Sequence, residues 1–296
     1  MPEKKIQVKI LVACHKADPY IRQDDIYMPI QVGKTLHPEL DLGFQCDNVG
    51  DNISEKNASY CELTAIYWAW KNLKDADYIG LCHYRRYFDF KTLGSSVRII
   101  PGKEVKTTRD FIPKLSKLNS EEVILPKFWS CPNSIWKNFT NNVLAQDLYI
   151  VYKIIDKYYP KYTPSLEKYM LGNRRTGYNM FLMSWQNFDK YCTWLFDVLA
   201  KVEKSVKLSE YISYARLYGY LGEILLPVYC MTNNIGITTR RVAFCEGTAS
   251  KLHTWGRRQI KNVMYNLSFL LSKIPIQKSL KNPYWELYLK LDNIII

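Results

Sequence analysis

Along the chain, runs of β-branched and apolar residues alternate with segments whose apolar positions recur every three or four residues, which predicts strands and helices in turn. Residues 6–16, IQVKILVACHK, read as a strand ending in His15 and Lys16, followed by a loop rich in Asp, Pro and Tyr. Residues 43–57, GFQCDNVGDNISEKN, begin as a short strand and pass into a polar Gly/Asn/Asp loop. In residues 59–73 Leu63, Ile66, Tyr67, Trp70 and Leu73 keep helical spacing, with Ser59 and Glu62 as a capping box at the start. Residues 78–83 are a buried strand, and the mixed-charge stretch 91–120 reads as an inserted, partly mobile region. Further on, 121–127 is a short strand, 144–160 a helix stopped by Pro160, and 177–184 strand-like. An amphipathic helix over 185–204 precedes a last helix over 213–233, broken at Pro227. Strands alternating with helices imply an α/β fold, a mostly parallel sheet with helices on both faces.

In such sheets ligands sit beyond the carboxyl ends of the strands. Three polar groups follow predicted strand ends: His15-Lys16, the 47–57 loop, and His83-Tyr84-Arg85-Arg86. Two arginines and a histidine at a strand mouth suit a diphosphate, and the bland alternative pairs the arginines with acids such as Asp89. Asp51, Asn52 and Asn57 offer donors and acceptors for a nucleobase, ribose or phosphate, although turn chemistry selects the same residues. Asn179 completes the candidate donor-binding set. For a general base, Glu223 interrupts an apolar helix, where burial raises a carboxyl pKa, and Asp147 and Asp51 compete with it. Glu62 is accounted for by capping. The Asp-Ala-Asp at 75–77 precedes its strand, whereas a metal–diphosphate site belongs after one, so Asp75 and Asp77 read as turn residues and no metal or cofactor is expected. No P-loop, G-x-G-x-x-G, G-x-S-x-G or H-E-x-x-H occurs.

Composition adds two points. The 296 residues carry a net charge of +13, which favours acidic partners: phosphate groups, anionic lipid or nucleic acid. From Lys251 onward eight Lys/Arg face only Glu286 and Asp292, giving the tail a net +6. Within it Ile260, Val263, Met264, Leu267, Leu270, Leu271 and Ile274 form one helical stripe flanked by Arg257, Arg258, Lys261 and Lys273. That pattern suits a membrane surface, with core packing as the alternative. The boundary falls near 250, separating residues 1–250 from a basic amphipathic tail, 251–296. Eight cysteines without a C-x-x-C pair, and a charged start without a signal peptide, point to reduced thiols in the cytosol. No stretch is long and apolar enough to span a bilayer.

The stretches KILVACHK, DDIYMPIQVGK, GDNISEKNASYCELTAIYWAWKNL, ADYIGLCHYRRYF, GYNMFLMSWQNFDKYCTWLFDVL and ARLYGYLGEILLPVY resemble, in order, a bacterial glycosyltransferase family. Its genes lie in capsule, exopolysaccharide and O-antigen loci, and some members are galactofuranosyltransferases using UDP-galactofuranose. The resemblance runs over about residues 6–245. It implies a GT-A-like domain that transfers a hexose from a UDP-sugar, with inversion, to a lipid-linked glycan at the inner face of the cell membrane. Two departures stand out: NFTNNVLAQD lacks the histidines that often precede the helix of Asp147, and Glu223-Ile224 replaces a common Glu-Arg. A nucleic-acid-binding protein, suggested by charge and by 23 Tyr, and a noncatalytic scaffold of a polysaccharide assembly are the rival readings. Aromatic positions that follow core periodicity argue against nucleic acid as a partner.

Overall fold

The computed structural model describes residues 6–91, 97–245, 252–272, 279–291, 294 and 296. Its strands are β1 (Val8–Cys14), β2 (Tyr27–Gln31), β3 (Gln45–Cys46), β4 (Tyr78–His83), β5 (Arg86–Asp89), β6 (Val97–Ile100), β7 (Glu122–Pro126), β8 (Trp129–Ser130), β9 (Arg174–Arg175), β10 (Phe181–Ser184) and β11 (Gly236–Cys245). Its helices are α1 (Asn57–Tyr60), α2 (Leu63–Asn72), α3 (Ile135–Phe139), α4 (Ala145–Tyr158), α5 (Thr163–Leu171), α6 (Trp185–Ser205), α7 (Ile212–Ala215), α8 (Leu217–Thr232), α9 (Leu252–Ser272) and α10 (Pro283–Leu291).

Apolar on both sides of its pleat, β1 takes the middle of the sheet, with β2 and β4 parallel on its two flanks. β10 then runs antiparallel to β4, in register from Phe181 opposite Leu81 to Ser184 opposite Tyr78. A Cβ at Gly80 would lie 2.7 Å from the Phe181 carbonyl oxygen, so glycine lets these two strands close up. β7 pairs with β10, β11 with β7, and the far half of β11 with β5 and β6. The sheet is therefore mixed rather than mostly parallel: β4–β5, β4–β10, β7–β10 and β5–β11 are antiparallel.

The two faces also differ. Alternate residues of β1 and β4, among them Leu11, Ala13, Ile79 and Leu81, meet the layer of α2, α4, α5, α6 and α8. The opposite residues Val8, Ile10, Val12 and Cys82 are covered by loops and short 3-10 turns around Ile21, Val105 and Phe111 rather than by α-helices. The described part of 97–118 is thus packed, with Phe111 fully buried and stacked on Tyr87; residues 92–96 lie outside the described ones.

Other departures have local causes. The helix expected over 59–73 is broken at Cys61, whose φ of +52° ends α1 and restarts the chain as α2. No capping box forms there, because Ser59 donates to the Lys56 carbonyl and Glu62 makes no cap contact. Strands β2 and β11 lie where no strand was expected, and α8 runs unbroken through Pro227. The tail divides. Leu280 and Leu289 join the main core, and Glu286 accepts from Tyr149 and Lys153, so α10 belongs to the body of the fold. α9 packs against β8, buries Phe269, and receives Asn173 Nδ2 on Asn266 Oδ1 at 2.9 Å. Its Ile260, Val263, Met264, Leu267, Leu270 and Leu271 are 57–72% exposed. Lys251, Lys273, Ile274, Lys278 and Asp292 lie outside the described residues. No helix among the described residues is long and apolar enough to cross a membrane.

Candidate active site

A cleft of about 370 Å³ opens at the carboxyl ends of β1 and β4. His15 reaches it from β1, Glu62 from the start of α2, and His83 to Arg86 from the β4–β5 turn; Arg216 and Glu223 come from α8, Tyr178 from the loop before β10, and Phe244 from β11. A hydrogen-bonded turn at Tyr178-Asn179 joins these elements. Both residues have positive φ, +68° and +50°, and a tyrosine adopts that conformation only when its surroundings compensate. Here the Tyr178 N–H donates to Glu223 Oε1 at 2.8 Å and the Tyr178 carbonyl accepts from His83 Nε2 at 2.6 Å. Asn179 Nδ2 donates to Glu62 Oε1 and to the Gly219 carbonyl, both at 2.8 Å. A Cβ at Gly222 would meet Asn179 Oδ1 at 2.5 Å, so a larger residue in that turn of α8 would evict Asn179.

The carboxylates sit among cations. Glu223 Oε2 accepts from Arg175 Nη2, and Arg175 is buried over the Phe139 ring, with Nη1 on Asn138 Oδ1 at 3.0 Å. Burial raises the Glu223 pKa, and the Arg175 charge with the Tyr178 N–H pulls back against that rise. Each Glu223 oxygen keeps a second lone pair beyond these bonds. Arg86 lies between the Tyr178 and Phe244 rings, 5.0 and 5.3 Å from their centroids, and its buried Nε has no hydrogen-bond partner among the described residues. Arg85, half exposed, donates from Nε to Asp18 Oδ2 at 2.8 Å. Arg216 Nε donates to Cys61 Sγ at 3.2 Å. Both histidines are held below their usual pKa. For His83 burial dominates and Glu62 opposes it; for His15 lost solvation leads, followed by the charges of Lys16, His83 and Arg216.

Of the candidates expected from sequence, His15, His83, Tyr84, Arg85, Arg86 and Glu223 line the cleft. Tyr84 is buried against the His15 ring, 5.3 Å between centroids. Lys16 is exposed next to His15 without lining the cleft, and Asn179 is buried behind it as a clamp. Asp51, Asn52 and Asn57 are placed elsewhere: Asp51 accepts from Tyr67, Asn52 closes its own turn on Gly50, and Asn57 bonds Cys61 and Thr64. Asp147 is buried on the first turn of α4, outside the cleft, and desolvation raises its pKa to about 6. The bland reading paired Arg85 and Arg86 with acids such as Asp89: Arg85 does pair with an acid, Asp18, while Asp89 binds Arg98. Glu62, Arg216, Tyr178 and Arg175 were not singled out as functional, and only Glu62 carried a signal, which capping explained away.

Asp75 and Asp77 sit at the amino end of β4, opposite the cleft. Among the described residues no three His, Cys, Asp or Glu side chains are grouped to hold a metal ion. The cleft residues, three arginines and two histidines beside two separately engaged carboxylates, do not fit the carboxylate pair of a metal–diphosphate site.

A family model described as "Domain of unknown function (DUF4422)" matches residues 9–234. Among solved structures the chain is similar to the WbbM bifunctional glycosyltransferase in its apo form, with a TM-score of 0.73 and 26% identity. That match covers 84% of this chain and 48% of the other, so the chain spans about half the length of that structure. No curated protein matches the chain.

Proposed function

The chain belongs to the DUF4422 family, and from that premise we propose that it is a glycosyltransferase moving a hexose from a UDP-linked donor, UDP-galactofuranose first, to a lipid-linked glycan with inversion. The observation that carries the reading is the cleft itself: arginines at the mouth of β4 facing a buried carboxylate of raised pKa. Likeness to a bifunctional glycosyltransferase supports it. In the displacement an acceptor hydroxyl oxygen bonds the anomeric carbon while that carbon's bond to the β-phosphate oxygen breaks. The hydroxyl proton passes to Glu223, and the departing UDP keeps the electron pair. Arg86 and Arg85 stabilise the charge that develops on the diphosphate, with Lys16 adding to the positive field from beside the cleft, a task many glycosyltransferases give to a metal ion. Glu62 holds the Tyr178-Asn179 turn from the other side.

A lipid-linked acceptor puts the reaction at the inner face of the cell membrane, and α9 supplies a contact for it. Its exposed apolar stripe and the exposed Lys261 match an anionic lipid surface. Leu267→Glu with Leu271→Glu should release the protein from anionic vesicles; retained binding removes α9 from that role.

The central test is a thermal-shift titration of the full chain with UDP, UMP and an RNA oligomer, followed by a donor screen with and without EDTA scored by UDP release. UDP should stabilise the protein more than UMP, and transfer should survive EDTA. Absence of any shift at about millimolar UDP sinks the reading, and a shift with RNA alone favours the nucleic-acid rival.

A further inference from the structure

A second cavity, of about 360 Å³, lies outside the cleft. Lys91, Lys114, Lys117, Lys127, Arg240 and Arg241 line it, and no acidic residue does. Lys127, Arg240 and Arg241 are half-buried there, so water screens their mutual repulsion less than it would on an open surface. Asp110 is 3.6 Å from Lys91 Nζ but bonds Arg98 more closely, at 2.7 Å. A concave site lined by one sign of charge concentrates the opposite charge within it. β11 spans the distance between the two sites: Arg240 and Phe244 are about 13 Å apart at the usual strand rise, with Val242 and Ala243 buried between them. One end of that interval belongs to the cleft and the other to the basic cavity.

We propose that the basic cavity binds the diphosphate of the lipid-linked acceptor. This rests on the glycosyltransferase reading. Lysines supply point charges to the phosphate oxygens, and the two arginines supply planar donor pairs. The cleft takes the donor's diphosphate and the second cavity the acceptor's, so the two sites should be occupied together.

The test uses the full chain with UDP at saturation, so that the cleft is filled, and titrates inorganic pyrophosphate by calorimetry at about 0.15 M salt. Pyrophosphate should bind, and Lys114→Glu with Lys117→Glu should weaken it about tenfold while leaving UDP affinity unchanged. Both lysines are exposed on a surface turn, so this variant keeps the fold; Lys127→Ala with Arg240→Ala gives a second, interior version. A lipid arm compares neutral vesicles with and without a polyprenyl diphosphate: preferential binding to the diphosphate vesicles, reduced in the variants, assigns the site to the acceptor. Pyrophosphate binding without that vesicle preference overturns the acceptor assignment. Sulfate binding as tightly as pyrophosphate, or variants that bind like the parent chain, overturns the site. Should pyrophosphate bind while UDP never does, the anion cavity stands and the glycosyltransferase reading fails.

Discussion

The 47–57 loop and the 83–86 turn both follow the carboxyl end of a strand, and both carry polar residues suited to a nucleotide. Their polar groups are spent differently. In the loop, buried Asp47 accepts from the Gly33 and Lys34 N–H groups at 2.9 and 3.2 Å, and from Ser54 Oγ and Thr64 Oγ1 at 2.5 and 2.6 Å. Asn52 and Asn57 are likewise consumed by turns. At the 83–86 turn His83 and Arg85 each hold a partner, the Tyr178 carbonyl and Asp18, but a buried Arg86 Nε has none among the described residues and both arginines line a cleft. Residue type was similar in the two regions; what separates scaffold from site is where the hydrogen bonds go.

The largest effect should come from the closed region. Asp47→Ala leaves four donors without their acceptor and should lower stability by about 3–5 kcal/mol in urea unfolding. UDP affinity of the molecules that remain folded should not change. A variant of normal stability that has lost UDP would reverse the comparison and return the loop to the donor site.

Glu223→Gln probes the open region. The amide keeps an oxygen for Arg175 or for the Tyr178 N–H but cannot take a proton, so transfer should fall about 10²–10³-fold with UDP binding retained. Because the base must be ionised and its pKa is raised, activity of the parent chain should disappear as pH falls through a value above the ordinary glutamate range. Glu62→Gln in parallel separates the two carboxylates: a larger loss of transfer there moves the base to Glu62.

Asp147 tests whether burial alone makes a functional carboxyl. Its folded pKa, raised to about 6, means the folded state holds the proton more tightly than the unfolded chain does. The contribution is therefore intact below about pH 4 and lost as pH rises through about 6, a difference of about 2–3 kcal/mol. Asp147→Asn, which mimics the neutral acid, should be more stable than the parent above pH 6 and equal to it below pH 4, with transfer unaltered. Loss of transfer would bring Asp147 back as the base.

Much of the frame was legible in the sequence, because the signals were local. The run 78–83 became β4 residue for residue, and the amphipathic pattern of 185–204 became α6. β11 was missed since GITTRR is polar and its strand character comes from pairing with β7 and β5, not from apolar content. The turn at 178–179 was invisible for a related reason: nothing local selects φ > 0 at a tyrosine, and the compensation comes from Glu223 and His83. Glu62 is the sharpest case. Its S-x-x-E context explained it locally, while its actual partner, Asn179, lies 117 positions away.

The smallest effect examines the arginine that defines the open region. Arg86 is held by two ring faces, so a lysine at this position keeps the charge while losing the planar stack and the Nε donor. Arg86→Lys should weaken UDP binding about fivefold, against a stability change within about 1 kcal/mol, since a partly desolvated cation–π contact is worth little more. UMP, with one phosphate fewer, should be affected less than UDP if the guanidinium meets the terminal phosphate. If the lysine variant binds UDP as the parent does, the cleft works as a diffuse positive field in which geometry at residue 86 is irrelevant. The unbonded Nε would then be a packing accident, and the contrast with Asp47 would rest on charge alone.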